Sequence, residues 1–226
     1  MWKKTSSCGG KGIGNKVGKK SCLRGFVCMT IELEYSSSLN GASFLLFELK
    51  QVIKLRQLGL SKQEIRDKVK EENLFQFNNQ GRINRALPSV MKRAEAIDET
   101  LAALMLEGSI ETGKTLNLYA IMKTDLLFFE FMDEVIGEKL HNNDYLIEKK
   151  DINLFFTSKA EQSEKVASWS DINVEKLKRA YMQVLYESGM LRTRKGKELD
   201  RLIIDEQIKN HLTQIGDARY IHAMGE

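Results

Sequence analysis

From Phe44 onward the apolar residues recur at close to 3.6-residue spacing almost everywhere, and only one proline, Pro88, interrupts them. That pattern dictates a mainly α protein. Leu45, Leu46, Leu49, Val52 and Ile53 put a stripe on a first helix, which Gly59 ends. Ser61 and Glu64 have capping-box spacing and start a second helix, with Ile65 and Val69 on its buried face. Ile83, Leu87, Val90, Ala94, Ile97, Leu101 and Leu104 alternate steps of four and three, predicting one continuous helical seam that Pro88 kinks or splits. Residues 116–136, dense in Leu, Phe and Met, predict a deeply buried helix, and a polar break at 141–144 follows it.

Residues 151–160 and 165–169 suggest two short helices. Asn173 can cap a longer one, with Leu177, Tyr181, Val184 and Leu185 on its apolar side and Gly189 at its end. After Gly189 the period changes, and residues 190–194 and 199–204 predict two short strands around Lys195-Gly196, a single β-hairpin. Helix then hairpin is the order of a winged-helix module. Residues 205–214 return to helix, and the tail after Gly216 carries no signal. The expected organisation is a leader 1–28, a helix-turn-helix-like N-terminal domain 29–150, a winged-helix-like C-terminal domain 151–217 and a tail 218–226.

The formal charge of +4 hides an asymmetry. Seven of the 35 basic residues fall in 1–28, which holds no acidic residue, and the remaining 28 face 31 acidic ones, a balance of about −3. Nucleic-acid binding by the body must therefore rest on local patches. All three cysteines, Cys8, Cys22 and Cys28, also lie in the leader, which fits a reducing cytoplasm and excludes a disulfide framework in the body. The leader has the basic start of a signal peptide without the apolar segment that should follow. It is expected to be a disordered extension or upstream sequence read as coding, with Met29 as the true start. No apolar run approaches the ~20 residues of a membrane span.

Two motifs imitate chemistry. Gly108-Ser-Ile-Glu-Thr-Gly113-Lys114-Thr115 fits the phosphate-binding-loop pattern, and Leu202-Ile-Ile-Asp205-Glu206 resembles its magnesium-holding partner. Such a loop must leave a buried parallel strand, whereas residues 97–106 here are helical in period, so a helix-connecting loop is expected. Glu138 and His141, with Glu130 and Glu134 on the same face, have the spacing of half a di-iron site, but no second pair exists and a solvated acidic face is expected. Three histidines, no body cysteine and no Gly-x-Ser-x-Gly motif offer no nucleophile and base. A non-enzymatic protein without cofactor or metal is expected.

Two basic patches remain. Arg82, Arg85, Lys92 and Arg93 fall on one helical face, with no acidic residue from Arg82 to Arg93, after a helix and an apolar turn. Lys176, Lys178 and Arg179 open the exposed side of the later helix, and Arg192, Arg194, Lys195, Lys197 and Arg201 belong to the hairpin. Both suit phosphate contact with double-stranded DNA, with little base choice and strong salt dependence.

The order and spacing of further landmarks resemble the BrxA proteins of BREX bacteriophage-exclusion systems. Over residues 38–216 these are Leu39-Asn-Gly41-Ala42 and Glu48, Gly59-Leu-Ser61, Glu71-Glu72-Asn73-Leu74-Phe75-Gln76, then Arg82, Arg85 and Arg93. Met122-Lys123-x-Asp125-Leu126, Phe131-Met132-x-Glu134-Val135, Asp151, Phe155-Phe156, Trp169-Ser170 and Leu185-Tyr-Glu187-Ser-Gly189 follow. The resemblance implies a mainly helical, non-enzymatic, DNA-binding component of phage defence. Its implied partners are double-stranded DNA and other BREX proteins, namely a methyltransferase, an ATPase and a phosphatase-like protein. The alternatives are an adaptor that scaffolds those components and, behind it, a nucleotide-binding enzyme.

Overall fold

The chain is described by a computed structural model over residues 34–226. The leader 1–28, its three cysteines and Met29 lie outside the described residues. Helix follows helix, as the apolar period predicts, around one central element. Helix α5 (Ile110–Thr124) buries every residue from Leu116 to Met122. A helix apolar on all sides must be covered on all sides. α1 (Leu46–Gln57), α3 (Gln80–Ala96), α4 (Glu99–Glu107), α6 (Leu126–Phe131), α10 (Asp171–Ser188) and α12 (Ala218–Ala223) all pack on it.

The expected end of α1 and the expected start of the next helix are both present. Gly59 follows α1 with φ +81°, the left-handed conformation that glycine adopts without cost. Ser61 caps α2 (Lys62–Glu71) with a full capping box: the Glu64 amide donates to its hydroxyl, and the Ser61 amide donates to Glu64 at 2.7 Å. The turn to α3 is held by Asn73, whose side chain accepts from the Phe77 amide at 3.1 Å and donates to its carbonyl at 3.0 Å. Phe75 and Phe77 are buried there edge to face.

Two long predicted helices are broken. The seam from Ile83 stays buried through Leu101, but the helix stops at Ala96: Ile97 is extended and Asp98 caps α4 by accepting from the Leu101 amide at 2.9 Å. Arg56 makes the break possible by donating to the Ala94 carbonyl and, at 2.8 Å, to that of Ile97. Pro88 sits inside α3 without breaking it, on the exposed side. The stretch 116–136 divides at Asp125, which caps α6 by accepting from the Phe128 amide at 3.1 Å. A π-helical turn, Met132–Gly137, then leads into α7 (Glu138–His141).

The two short helices are α8 (Lys149–Gln162) and α9 (Glu164–Ala167). Ser170, not Asn173, caps α10: its hydroxyl accepts from the Asn173 amide, three residues into the helix. Gly189 closes α10 at φ +91°, as expected. The predicted hairpin shrinks to isolated antiparallel bridges, Leu191 with Leu199 and Leu146 with Glu198, and no strand forms among the described residues. Past Asp200 the chain leaves its partner because Leu199 and Ile204 bury their side chains in the core while Ile203 stays exposed.

The predicted boundary at 150 does not divide the described residues, which belong to one compact unit. Phe131 of the π-turn's approach packs on Phe155 of α8 and Tyr181 of α10, with ring centroids at 5.4 and 5.1 Å, so one core crosses that position. The tail is structured as well: α11 (Glu206–Gln214) leads to α12, whose Tyr220 packs on Tyr119 and Phe129. No helix among the described residues is long and apolar enough to cross a membrane.

Candidate nucleic-acid interface

The basic face of α3 is smaller than its sequence suggests. Arg82 and Arg85 are exposed on its first turns. The Arg82 guanidinium lies 4.1 Å over the Phe77 ring, and Arg85 donates to the Gly81 carbonyl at 3.2 Å. Lys92 is exposed and donates to the Thr124 carbonyl at 2.8 Å.

Arg93, expected on this basic face, is instead 2% exposed and cannot reach a phosphate. Its guanidinium donates to the Phe44 carbonyl at 2.9 Å and to that of Ala42. The chain entering α1 lies over that edge of α3, and its buried carbonyls need a donor. Burial pulls the Arg93 pKa down to about 10, with Asp125 and Glu48 opposing, so it stays charged at neutral pH.

The later patch forms a groove between α8 and α10. Lys178 is anchored there by Glu175 at 2.7 Å and Asn153 at 2.8 Å. Arg179 and Arg194 line the same groove, and so does Lys149 at the start of α8, over a floor of Ile152 and Met182. Its cavity is about 440 Å³. Glu175 is the one carboxylate on its wall; the Lys178 hydrogen bond and charge, aided by Arg179 and Lys149, hold it below the usual range. Lys176, Lys195 and Lys197 are exposed.

Arg192, by contrast, is neutralised by Glu198 and Asp200, each at 2.9 Å. Lys149 had no sequence signal except its place in the Lys149-Lys150 pair just ahead of an expected helix. What makes it part of the groove is α10, which packs close to it from far along the chain.

The imitations of chemistry resolve into structure. Ser109 caps α5 by accepting from the Thr112 amide at 3.0 Å, so Gly113, Lys114 and Thr115 are helical and their amides serve the helix. The connecting loop is shorter than expected, only Gly108 and Ser109. Asp205 caps α11 by accepting from the Gln207 amide at 2.8 Å. Glu130 and Glu134 are paired with the buried Lys159 ammonium at 2.8 and 2.6 Å. His141 stacks on His222 at 4.2 Å. Among the described residues no group of three or more metal-ligating side chains converges.

The family model described as BrxA matches residues 33–216. The chain belongs to the BrxA family. A BREX protein BrxA from Bacillus cereus (strain H3081.97) is 38% identical over 194 residues, 85% of this chain and 97% of that one. The crystal structure of an uncharacterized protein from Magnetospirillum magneticum shares the fold, with TM-score 0.74 at 20% identity over 84% of this chain and 97% of that one. Several BrxA landmarks quoted from the sequence are core or capping residues: Arg93, Asp125, Phe131, Phe155, Phe156 and Gly189. They specify the scaffold, and the groove cations lie outside them. α12 follows the end of the BrxA match at 216.

Proposed function

We propose that this BrxA-family protein is a non-enzymatic, cytoplasmic component of a BREX phage-defence system that binds double-stranded DNA through phosphate contacts. The observation that carries the reading is the groove between α8 and α10, where Lys149, Lys178, Arg179 and Arg194 meet a single wall carboxylate, beside exposed Lys176, Lys195 and Lys197. Arg82, Arg85 and Lys92 form a second, smaller set on α3. Arg93 and Arg192 contribute no free charge, because the first is buried and the second is paired.

A shift assay with duplex DNA at increasing salt tests the proposal. Binding should weaken steeply, and the log–log slope should fall by about 0.9 for each phosphate contact removed. Exchanging Arg179, Arg194 and Lys195 for glutamate should abolish most binding with the fold intact. No binding at low ionic strength would refute the reading.

The adaptor alternative finds support in apolar side chains that face solvent, among them Leu58, Leu154, Ile172 and Ile203. Co-purification of another BREX protein that survives nuclease treatment would favour it.

A further inference from the structure

The groove between α8 and α10 is concave and cation-rimmed, a shape that phosphate contact alone does not require. A duplex carries its phosphates on its outside, where a ridge or flat face reaches them, and keeps its bases stacked within. Here the cations rim a concavity of about 440 Å³, within the roughly 300–1,000 Å³ typical of sites that enclose one small ligand. Its floor is apolar, Ile152 and Met182.

Two amides on the wall each keep one polar group without a partner among the described residues. Asn153 accepts from Lys178 at 2.8 Å with its carbonyl oxygen, which leaves its NH₂ to donate outward. Gln183 donates its NH₂ to Glu187, which leaves its carbonyl oxygen to accept. An apolar floor, a donor, an acceptor and a cationic rim complement the face of a base, its edge and its phosphate.

We propose that this groove receives one unpaired nucleotide of a DNA strand, at a strand end, a flap or a flipped position, while the adjoining duplex lies against the exposed lysines and arginines around it. The proposal rests on the DNA-binding reading and narrows it. A nucleotide held in a duplex cannot enter, because its base is stacked and its edge is paired.

Fluorescence anisotropy on the full chain can separate the two readings, using a blunt duplex and the same duplex with a short single-stranded thymidine overhang. The overhang should bind about tenfold more tightly, a gain of the size one base contact supplies in single-strand sites. Met182→Ala, which changes no charge, should remove most of that preference and leave blunt-duplex affinity unchanged. Gln183→Leu should do the same through the lost acceptor, which guards against a packing defect peculiar to Met182. Lys195→Glu should weaken both DNAs alike. Equal affinity for the two DNAs, or a preference that survives both groove substitutions, overturns the nucleotide site while duplex binding stands. Failure to bind either DNA at low ionic strength overturns the DNA-binding reading itself. Tighter binding of an acidic peptide than of the overhang would assign the groove to a protein partner instead.

Discussion

If Arg93 were methionine, the Ala42 carbonyl would lose its buried donor, while that of Phe44 would keep the Asn117 amide, which donates to it at 2.7 Å. Glu48 and Asp125 would lose the cation that faces them from within the core. Arg93→Met is therefore expected to lower stability by about 3 kcal/mol, read as a shift of the urea midpoint. Arg82 has the same charge on the same helix, but its exposed guanidinium only stacks on Phe77. Arg82→Ala should cost about 0.5–1 kcal/mol in the same experiment. The contrast was not legible in the sequence. A 100° projection puts both arginines on one sector, and what turns Arg93 inward is a pair of carbonyls about fifty residues earlier in the chain. Lys159 is a similar case: two glutamates from the π-turn region enclose it, a partnership that no local spacing announces.

At the scale of elements, most helices were legible because burial follows the apolar period, and the seam from Ile83 to Leu101 is buried as predicted. The breaks were not. Asp98 and Asp125 stand at cap positions inside long apolar runs, and only tertiary partners, Arg56 for α3 and the Ser36 and Ser38 hydroxyls for Asp125, reveal them. Asp98 also joins α4 to α11 through His211 at 2.7 Å. Burial alone would raise its pKa, but the His211 hydrogen bond and the Leu101 amide outweigh it and hold the carboxyl below its ordinary value. A carboxyl depressed in the fold stabilises above its unfolded pKa, and that stability is lost as pH falls through the folded value. The substitution Asp98→Asn keeps a capping oxygen and removes the charge. Urea midpoints of this variant should thus lie below those of the native chain at pH 6 and converge with them as pH drops below about 4. The π-turn has its own requirement: a Cβ at Gly137 would come within 3.4 Å of the Ala223 backbone and 3.2 Å of the Met132 carbonyl. Gly137→Val should loosen α12 first, seen as faster amide exchange over residues 218–226 than in the core.

Across the whole molecule, the tail was the largest surprise, since nothing after Gly216 signalled a helix that completes the core. Asp217 accepts from Tyr119 and Lys123, both at 2.7 Å, and Tyr220, Ile221 and Met224 are buried. Removal of residues 217–226 should cost more than about 3 kcal/mol through the apolar surface it uncovers and lower the thermal midpoint of unfolding. The groove was half legible: Lys178, Arg179 and Arg194 were marked by composition, while Lys149 and the apolar floor needed α8 and α10 side by side. One feature of the backbone ties these parts together. The Ile147 amide donates to Lys197 and the Leu199 amide to Tyr145, each at 2.8 Å, so the chain that leaves at Tyr145 and returns at Leu199 is fastened at its neck. Everything that forms the groove lies on that loop. Its two walls are thus two reaches of one tethered circuit, and a strain on the neck, whether from a cut, a substitution or a partner prising at Tyr145, would be felt as a change in the groove's width.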